Sequence, residues 1–512
     1  RGRNDAEKIA HTCGVDTQNQ QPKALSANLE DNIQTVKEIL PAEDILVYRF
    51  KAADGTGCAA VYADGITDKE LLGSLAARPL SLEKAPKTLA EAEKLLYFPE
   101  SKEAQDAQTA CAEILAGNPA LFVDGMRGAL VLGTKKVTLR AVSEPQTSIA
   151  VKGPREGFIE DVKTNMGLIR RRLKTPALRF KTLEVGRHSK TAVCIAYLDG
   201  IADEKVVQEL EKRISAVDID GVPDSSYIGK FIAKKPYSLF KQVGTTEKPD
   251  ILCAKMLEGR VAILADGSPI ALTVPYMLAE DFQSSQDYFV SPCRATVSRL
   301  LRLFAVFAAL YLPAAYVAAQ LFKLQLIPLG LLLIISGGVQ GISLSPSLEI
   351  FFLLAVLEIL IEASVRMPKY VALALSVIGA LVLGDTAVKA GIVSSPAIII
   401  VALSGISAYT VPDLTGTLSL LRLALVVVAG SIGTYGIILL TALTLYYLVS
   451  SDSYGTPLLA PFSPFIKRDL RDSVYKTDIY ALNERPSVFR GKNKTRLKVR
   501  YRAGGEGKNG QN

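Results

Sequence analysis

AAVYADGITDKELLGSL, residues 59–75, returns as CIAYLDGIADEKVVQEL at 194–210, with Tyr62 over Tyr197, Asp64 over Asp199, Gly65 over Gly200 and Asp68 over Asp203. The echo is not isolated. LEDNIQTVKEIL (29–40) is answered by IEDVKTNMGLIRRRL (159–173), and EILAGNPALFVDGMRGALVL (113–132) by KMLEGRVAILADGSPIALTV (255–274), aligning Gly117 with Gly259 and Asp124 with Asp266. Three matches in the same order, at a lag of about 130 to 142 residues, predict two similar subdomains built one after the other.

Each unit opens with an amphipathic helix, continues into extended runs such as DILVYRF or TAVCIAYLDG, passes through another helix and closes on a strand pair around Asp-Gly. That alternation predicts a duplicated α/β domain. Asp-Gly supplies the positive φ of a tight turn, and Thr67 with Glu70, or Asp203, is placed to cap the next helix. The recurring aspartates therefore read first as turn and cap residues rather than as catalysts.

Outward from this repeat, the composition changes near residue 295. Charged residues are frequent before it, whereas Leu, Ile, Val and Ala dominate from there to about residue 450. The 512-residue chain thus divides into a polar, charge-rich α/β half and an all-α membrane domain of several spans. The expected boundaries are a disordered polar segment at 1–24, α/β subdomains at 25–140 and 141–292, a transmembrane helical domain at 293–450 and a basic tail at 451–512, disordered after about 487.

Apolar runs fall at 303–322, 326–342, 348–366, 370–384, 391–411 and 418–449. A crossing needs about 20 residues, so 303–322, 391–411 and 418–449 are the clearest spans. The arginines Arg294, Arg299 and Arg302 before the first run, and KRDLR and RGKNKTRLKVRYR after the last, predict that both ends face the cytoplasm. An even number of crossings follows, with four expected. Pro313, Pro328, Pro396 and Pro412 are expected to break or bend these segments. Gly430, Gly433 and Gly436 would let helices pack closely in a bundle or oligomer.

The segment AVLEILIEASVRMPK (355–369) places Glu358, Glu362 and Arg366 at i, i+4 and i+8, one stripe that drifts by about 40° per step. A charge facing lipid costs about 2.5–3.5 kcal/mol on insertion scales, so this stripe must face protein, water or headgroups. It would line a hydrated path between subunits, pair with cations on a neighbouring helix, or lie at the interface. Asp385, Lys389 and Arg422 stand at segment ends and read as snorkelling anchors.

The net charge of +8 is modest for the length and concentrated in the tail, which argues against a nucleic-acid-binding surface. Six cysteines (Cys13, Cys58, Cys111, Cys194, Cys253, Cys293) without a CxxC pair, and only His11 and His188, suggest neither a disulfide framework nor a metal site. A reducing setting, and no cleavable signal peptide at the polar N-terminus, are expected. KGPREGF (152–158) invites an anion-binding reading, against which stands a plain turn into a helix whose end, Arg170–Arg172, is solvated or subunit-facing. No nucleophile–base pair or phosphate loop emerges, so an enzyme is not expected and no cofactor is assigned. Hydrolysis dependent on Asp199 or Asp266 would reverse that.

EPQTSIAVKGPREGFIEDVKTNMGLIRRRL, VGRHSKTAVCIAYLDGIAD, DGVPDSSYI, TTEKPD, LEGRVAILADGSPIALTVP, FQSSQDYF, SYGTPLLAPFSPF and NERP occur in this order over residues 144–486. Together they resemble the A subunit of spore germinant receptors, the GerA family, with the stage V sporulation protein AF as a related class. DGVPDSSYI and DFQSSQDYF are more similar to the receptor type. The resemblance, which covers about residues 25–487, implies a multi-pass protein of the spore inner membrane acting with a transporter-like B subunit and a lipoprotein C subunit. It also implies homo-oligomerisation into a cation-conducting channel that triggers germination; a scaffold subunit without its own pore is the alternative. Family members usually carry a further Glu where this chain has Leu354 and an Arg where it has Ile361, so the stripe here is thinner. The basic arm after 487 is expected to touch anionic lipid headgroups.

Overall fold

The computed structural model describes residues 23–134 and 153–496, apart from 97, 99, 236, 343, 369–370, 372–383, 385 and 479–481. The chain forms two compact units. One comprises residues 1–236, 242–276 and 483–500, and the other 237–241, 277–482 and 501–512.

The first unit contains the duplication expected from the repeats. In its first half, α1 (Leu29–Ile39) begins at Asn28, whose side chain accepts hydrogen bonds from the backbone of Glu30 and Asp31. It buries Leu29, Ile33 and Val36, the positions that a 3.6-residue period aligns on one face. Strands β1 (Ile45–Lys51), β2 (Gly57–Ala63), β3 (Ser101–Ala104), β4 (Ala120–Val123) and β5 (Ala129–Leu132) form an antiparallel sheet in the order β1-β2-β4-β5-β3. Successive side chains of β2 point to opposite faces. Ala59, Val61 and Ala63 join the core under α1 and α2 (Ala107–Ala116), while Cys58, Ala60 and Tyr62 join the core under the helical segments Lys69–Leu72, Gly73–Ala77 and Arg78–Leu82. Covering both faces is why the inner strands β2, β4 and β5 are almost wholly apolar.

The second half repeats the plan. Helix α3 (Val162–Arg172) precedes β6 (Leu178–Val185) and β7 (Thr191–Leu198). Then come α4 (Glu204–Ser215), α5 (Ser225–Ile232), β8 (Gly244–Thr246), α6 (Pro249–Glu258), β9 (Val261–Ala265) and β10 (Ala271–Val274). The sheet order is β6-β7-β9-β10-β8, the same permutation as before.

The paired aspartates do the same work in each half. Asp124 accepts from the backbone N–H of Leu29, and Asp266 from that of Val162, so each turn seats the start of the first helix. Gly117 and Gly259 end α2 and α6 with φ of 100° and 112°, the left-handed cap that glycine adopts without Cβ strain. Asp68 and Asp203 are N-caps. The expected cap Thr67 is not one; its hydroxyl donates instead to the Gly117 carbonyl at 3.1 Å.

The end of α3 also departs from expectation. Arg171 and Arg172 bind Glu156 of the KGPREGF stretch, so those charges are satisfied internally. Arg170 is neither solvated nor at a subunit surface. It is buried, and it forms a two-pronged ion pair with Asp44 across the two halves of this unit. Lys152, and with it part of the proposed anion loop, lies outside the described residues.

Two expected boundaries move. The helical unit begins at Met277, not 293, and residues 483–500 belong to the α/β unit. Order does not end at about 487. Glu484 bridges Thr495, Arg485 Nε donates to the Leu257 carbonyl at 2.6 Å, and Phe489 is buried beneath the Arg260 guanidinium. Burial of an aromatic ring and these backbone bonds outweigh the chain entropy that a basic tail would otherwise keep. Residues 1–22 and 497–512 lie outside the described residues.

The second unit is helical: α7 (Pro292–Phe322), α8 (Leu329–Val339), α9 (Pro346–Arg366), α10 (Ser395–Ala408), α11 (Thr415–Ile432) and α12 (Thr434–Val449). Among the described residues two helices are long and apolar enough to cross a membrane, Pro292–Phe322 and Pro412–Ile432. The run 391–411 yields a helix of only 14 residues. The run 418–449 is not one helix, because Gly433, at φ 69° and ψ −146°, separates α11 from α12. Most of 370–384 lies outside the described residues. Pro328, Pro396 and Pro412 stand at helix starts, where the missing N–H is tolerated, whereas Pro313 lies inside α7.

Candidate functional site

Helix α9 carries the charged stripe. It starts at Pro346 after Ser345, places Glu349 in its first turn and Arg366 in its last, both favourable to the helix dipole, and stops at Met367 before Pro368. Its other positions are largely Leu, Ile, Val and Phe.

The structure divides the three stripe residues between two environments. Glu358 turns inward. Its Oε1 accepts from Arg422 Nη2 at 2.8 Å and from the Ser419 hydroxyl, both on α11. Arg422 Nη1 donates to Ser404 Oγ at 3.0 Å, and Ser404 Oγ donates to the Ala309 carbonyl at 2.7 Å. One polar chain thereby links α9, α11, α10 and α7. Arg422 is not a snorkelling anchor at a segment end. Its side chain is 3% exposed against 31% for Glu358, and it sits within α11 facing the bundle.

Glu362 and Arg366 remain outside this network. They pair with each other along the helix, Nη2 to Oε1 at 2.6 Å, and their side chains are 65% and 78% exposed. An i,i+4 pair on a helix surface lowers the charge the helix presents without burying it. Lys389 closes the short helical segment Ala387–Lys389, and Asp385 lies outside the described residues.

The three glycines pack within the chain. A Cβ on Gly430 would lie 2.7 Å from Ser347 Cβ of α9, and one on Gly433 would lie 2.8 Å from the Phe322 ring of α7. A Cβ on Gly436 would meet Val428 and Ile432 of the preceding helix. Lack of a side chain is what lets α11 and α12 approach α7 and α9 this closely.

Sequence reasoning missed a second charge cluster at the start of α7. Asp287, in FQSSQDYF, receives Arg299 Nε at 3.0 Å and both Arg302 Nη groups at 2.8 and 2.9 Å. Arg299 also reaches Asp472, which binds Lys476 at 3.0 Å, and the Lys476 ammonium lies 4.0 Å from the Tyr288 ring centre. Two of the arginines read as flanking charges are thus ion-paired. Asp287 is held below its ordinary carboxyl value: burial raises it, but hydrogen bonds from Arg302, the Ser284 backbone and Arg299 more than offset this. The Ser284–Asp287 capping box was the local signal that could have marked this aspartate.

Among the described residues no group of three or more His, Cys, Asp or Glu side chains is arranged to hold a metal ion. Asp199 pairs with Arg179 at 3.3 Å, and Asp266 accepts from the backbone N–H of Val162.

A family model described as Bacillus/Clostridium GerA spore germination protein matches residues 33–488. The chain is 35% identical over 476 residues to the Bacillus subtilis (strain 168) "Uncharacterized membrane protein YfkQ", covering 92% of this chain and 93% of that protein. It is 33% identical over 486 residues to "Spore germination protein KA" of the same organism, covering 93% and 89%. A crystal structure of the N-terminal domain of the A subunit of the Bacillus megaterium spore germinant receptor GerK3 is 27% identical and covers 51% of this chain and 99% of that chain, with a TM-score of 0.39. Agreement along nearly the whole length, through both the α/β and the helical units, establishes that the chain belongs to the GerA family of spore germination proteins.

Proposed function

We propose that the chain is the A-type subunit of a nutrient germinant receptor in the inner membrane of the bacterial spore. It would act with a transporter-like B subunit and a lipoprotein C subunit, and its helical unit would oligomerise into a cation-conducting channel. The observation that carries this reading is the exposed Glu362–Arg366 pair on a helix that is otherwise largely apolar. In hydrocarbon each charge would cost about 2.5–3.5 kcal/mol, so a second subunit, water or lipid headgroups must cover that face, of which an ion path uses the first two. Elsewhere on the helical unit, Phe304, Phe307, Leu420, Val427, Ile438 and Leu439 are exposed apolar side chains suited to lipid rather than to water.

The topology of the chain supports an even number of crossings with both termini on the spore-core side. The chain leaves the α/β unit for the helical unit, and residues 483–500 rejoin the α/β unit. Both ends of the helical unit therefore connect to the same polar body. Residues Gly430 and Gly433 are read as packing positions within the subunit, and Glu362 and Arg366 as the part of the stripe available to an ion path.

Reconstitution of purified full-length protein into liposomes, with cation efflux as the readout, tests this. Efflux that changes in rate or selectivity in Glu362→Gln supports a pathway role; unchanged efflux in Glu358→Gln/Glu362→Gln removes both residues from the path. A scaffold subunit without its own pore is the second reading, and the capture of Glu358 by Arg422 inside one chain favours it. In that case truncating the α/β unit abolishes receptor assembly, while neutralising the stripe alters only stability.

A further inference from the structure

Glu349 was not part of the stripe, yet it is the most deeply buried carboxylate of the helical unit, with 0% of its surface exposed. It sits in the first turn of α9. Its Oε1 accepts the backbone N–H of Ser394, the N-cap of α10. Its Oε2 has no hydrogen-bond partner, and among the described side chains no cation pairs with it. Tyr316 and Gln320, one turn apart on α7, bring two further buried oxygens, Tyr316 Oη and Gln320 Oε1, that make no well-formed hydrogen bond although they lie close to each other and to Ser394. Tyr316 lies beside Gln320 and Ser394 and within Coulomb range of Glu349. Val317, Ile350, Leu353, Val393 and Ala397 belong to the same apolar core as Tyr316.

The cluster brings together a carboxylate, a phenol and an amide oxygen without any positive charge among them. A buried carboxylate is costly unless it is paired or neutralised. The N-terminus of α10 contributes only about half an elementary positive charge. A water molecule would satisfy hydrogen bonds without neutralising anything. A single carboxylate with neutral amide and phenolic oxygens matches a singly charged hard cation, since divalent sites gather more carboxylates.

We propose that Glu349 Oε2, Gln320 Oε1 and Tyr316 Oη form a site inside one subunit for a single dehydrated monovalent cation, which clamps α7, α9 and the start of α10. The site is independent of conduction between subunits: it needs one chain and no pore.

The test is thermal unfolding of the full-length protein in lipid nanodiscs, followed by circular dichroism at constant ionic strength. Sodium chloride and potassium chloride are compared separately with N-methyl-D-glucamine chloride, whose cation is too large to enter. The wild type is expected to gain a saturable rise in melting temperature with at least one of the two small cations. Glu349→Gln, which keeps the shape and removes the charge, is expected to melt at one temperature in all three salts. Tyr316→Phe, which leaves the carboxylate intact, is expected to raise the half-effect concentration roughly fivefold. Identical wild-type melting in all three salts overturns the proposal, as does a cation effect that survives in Glu349→Gln. Should Glu349→Gln fail to fold, an unshifted half-effect concentration in Tyr316→Phe overturns it. A wild-type melting temperature that follows pH but not sodium or potassium assigns a proton to Glu349 and also overturns it.

Discussion

Arg170 and Asp44, 126 residues apart, form a two-pronged ion pair, Nε to Oδ2 at 2.9 Å and Nη2 to Oδ1 at 2.8 Å, with both side chains 1% exposed. Arg170 lies in the last turn of the first helix of the second α/β half, and Asp44 precedes the first strand of the first half. The guanidinium also lies over the Phe180 ring at 5.1 Å and donates to the Thr175 carbonyl at 3.2 Å. A buried pair with its remaining protons satisfied fixes orientation more than it adds stability, but losing one partner leaves a bare charge. Arg170→Ala is therefore expected to destabilise the α/β unit by about 3–5 kcal/mol. Urea unfolding followed by circular dichroism, apt for a chain without tryptophan, measures this. A loss under 1 kcal/mol (about the value of a surface pair) would contradict it.

The Glu358–Arg422 pair predicts unequal single-mutant effects. Removing Glu358 strands a nearly buried guanidinium, whereas removing Arg422 leaves a carboxylate that is one-third exposed and still bonded to Ser419. Glu358→Ala is expected to lower the unfolding temperature more than Arg422→Ala, and the double variant to be milder than the sum. Thermal melts of the four proteins in one detergent decide the order.

Gly433 joins α11 to α12 in a conformation with positive φ, with the Phe322 ring against it. Gly433→Ala combines backbone strain of about 1–3 kcal/mol with a steric clash. Adding Phe322→Ala relieves the clash but not the strain, so it should recover only part of the loss in the same melting assay.

Asp287 carries a pH signature. Its folded value lies below the ordinary 3.8, so its pairing contributes stability fully above that value and loses it as pH falls through the lower folded value. Acid unfolding of the wild type should therefore be steeper below about pH 4 than that of Asp287→Asn, in which this titration is absent. Parallel acid limbs would show that Asp287 is not coupled to folding.

Burial pushes the Cys58 thiol up to about 11 and those of Cys111, Cys194 and Cys253 to about 12, while Cys293 is exposed. In a Cys13→Ser background, one thiol should react quickly with a maleimide at neutral pH, and peptide mapping should place it at Cys293. Rapid labelling of Cys194 in folded protein would disprove the packing of β7.

The duplicated α/β plan was legible in the linear chain because its signals are local. An Asp-Gly turn, a left-handed glycine cap and an aspartate N-cap each act within a few residues, so Asp124 and Asp266, or Gly117 and Gly259, announce the same geometry twice. Helical periodicity likewise placed Glu358, Glu362 and Arg366 on one helix, α9, though not in one environment. Periodicity says nothing of which helix comes alongside. That Arg422 enters the bundle to meet Glu358, that Arg170 crosses to Asp44, and that Glu349 is enclosed beside Tyr316 and Gln320 are consequences of packing between segments distant in sequence. Long-range desolvation, not local pattern, decides which charges must find a partner. Only the assembled tertiary structure supplies that burial.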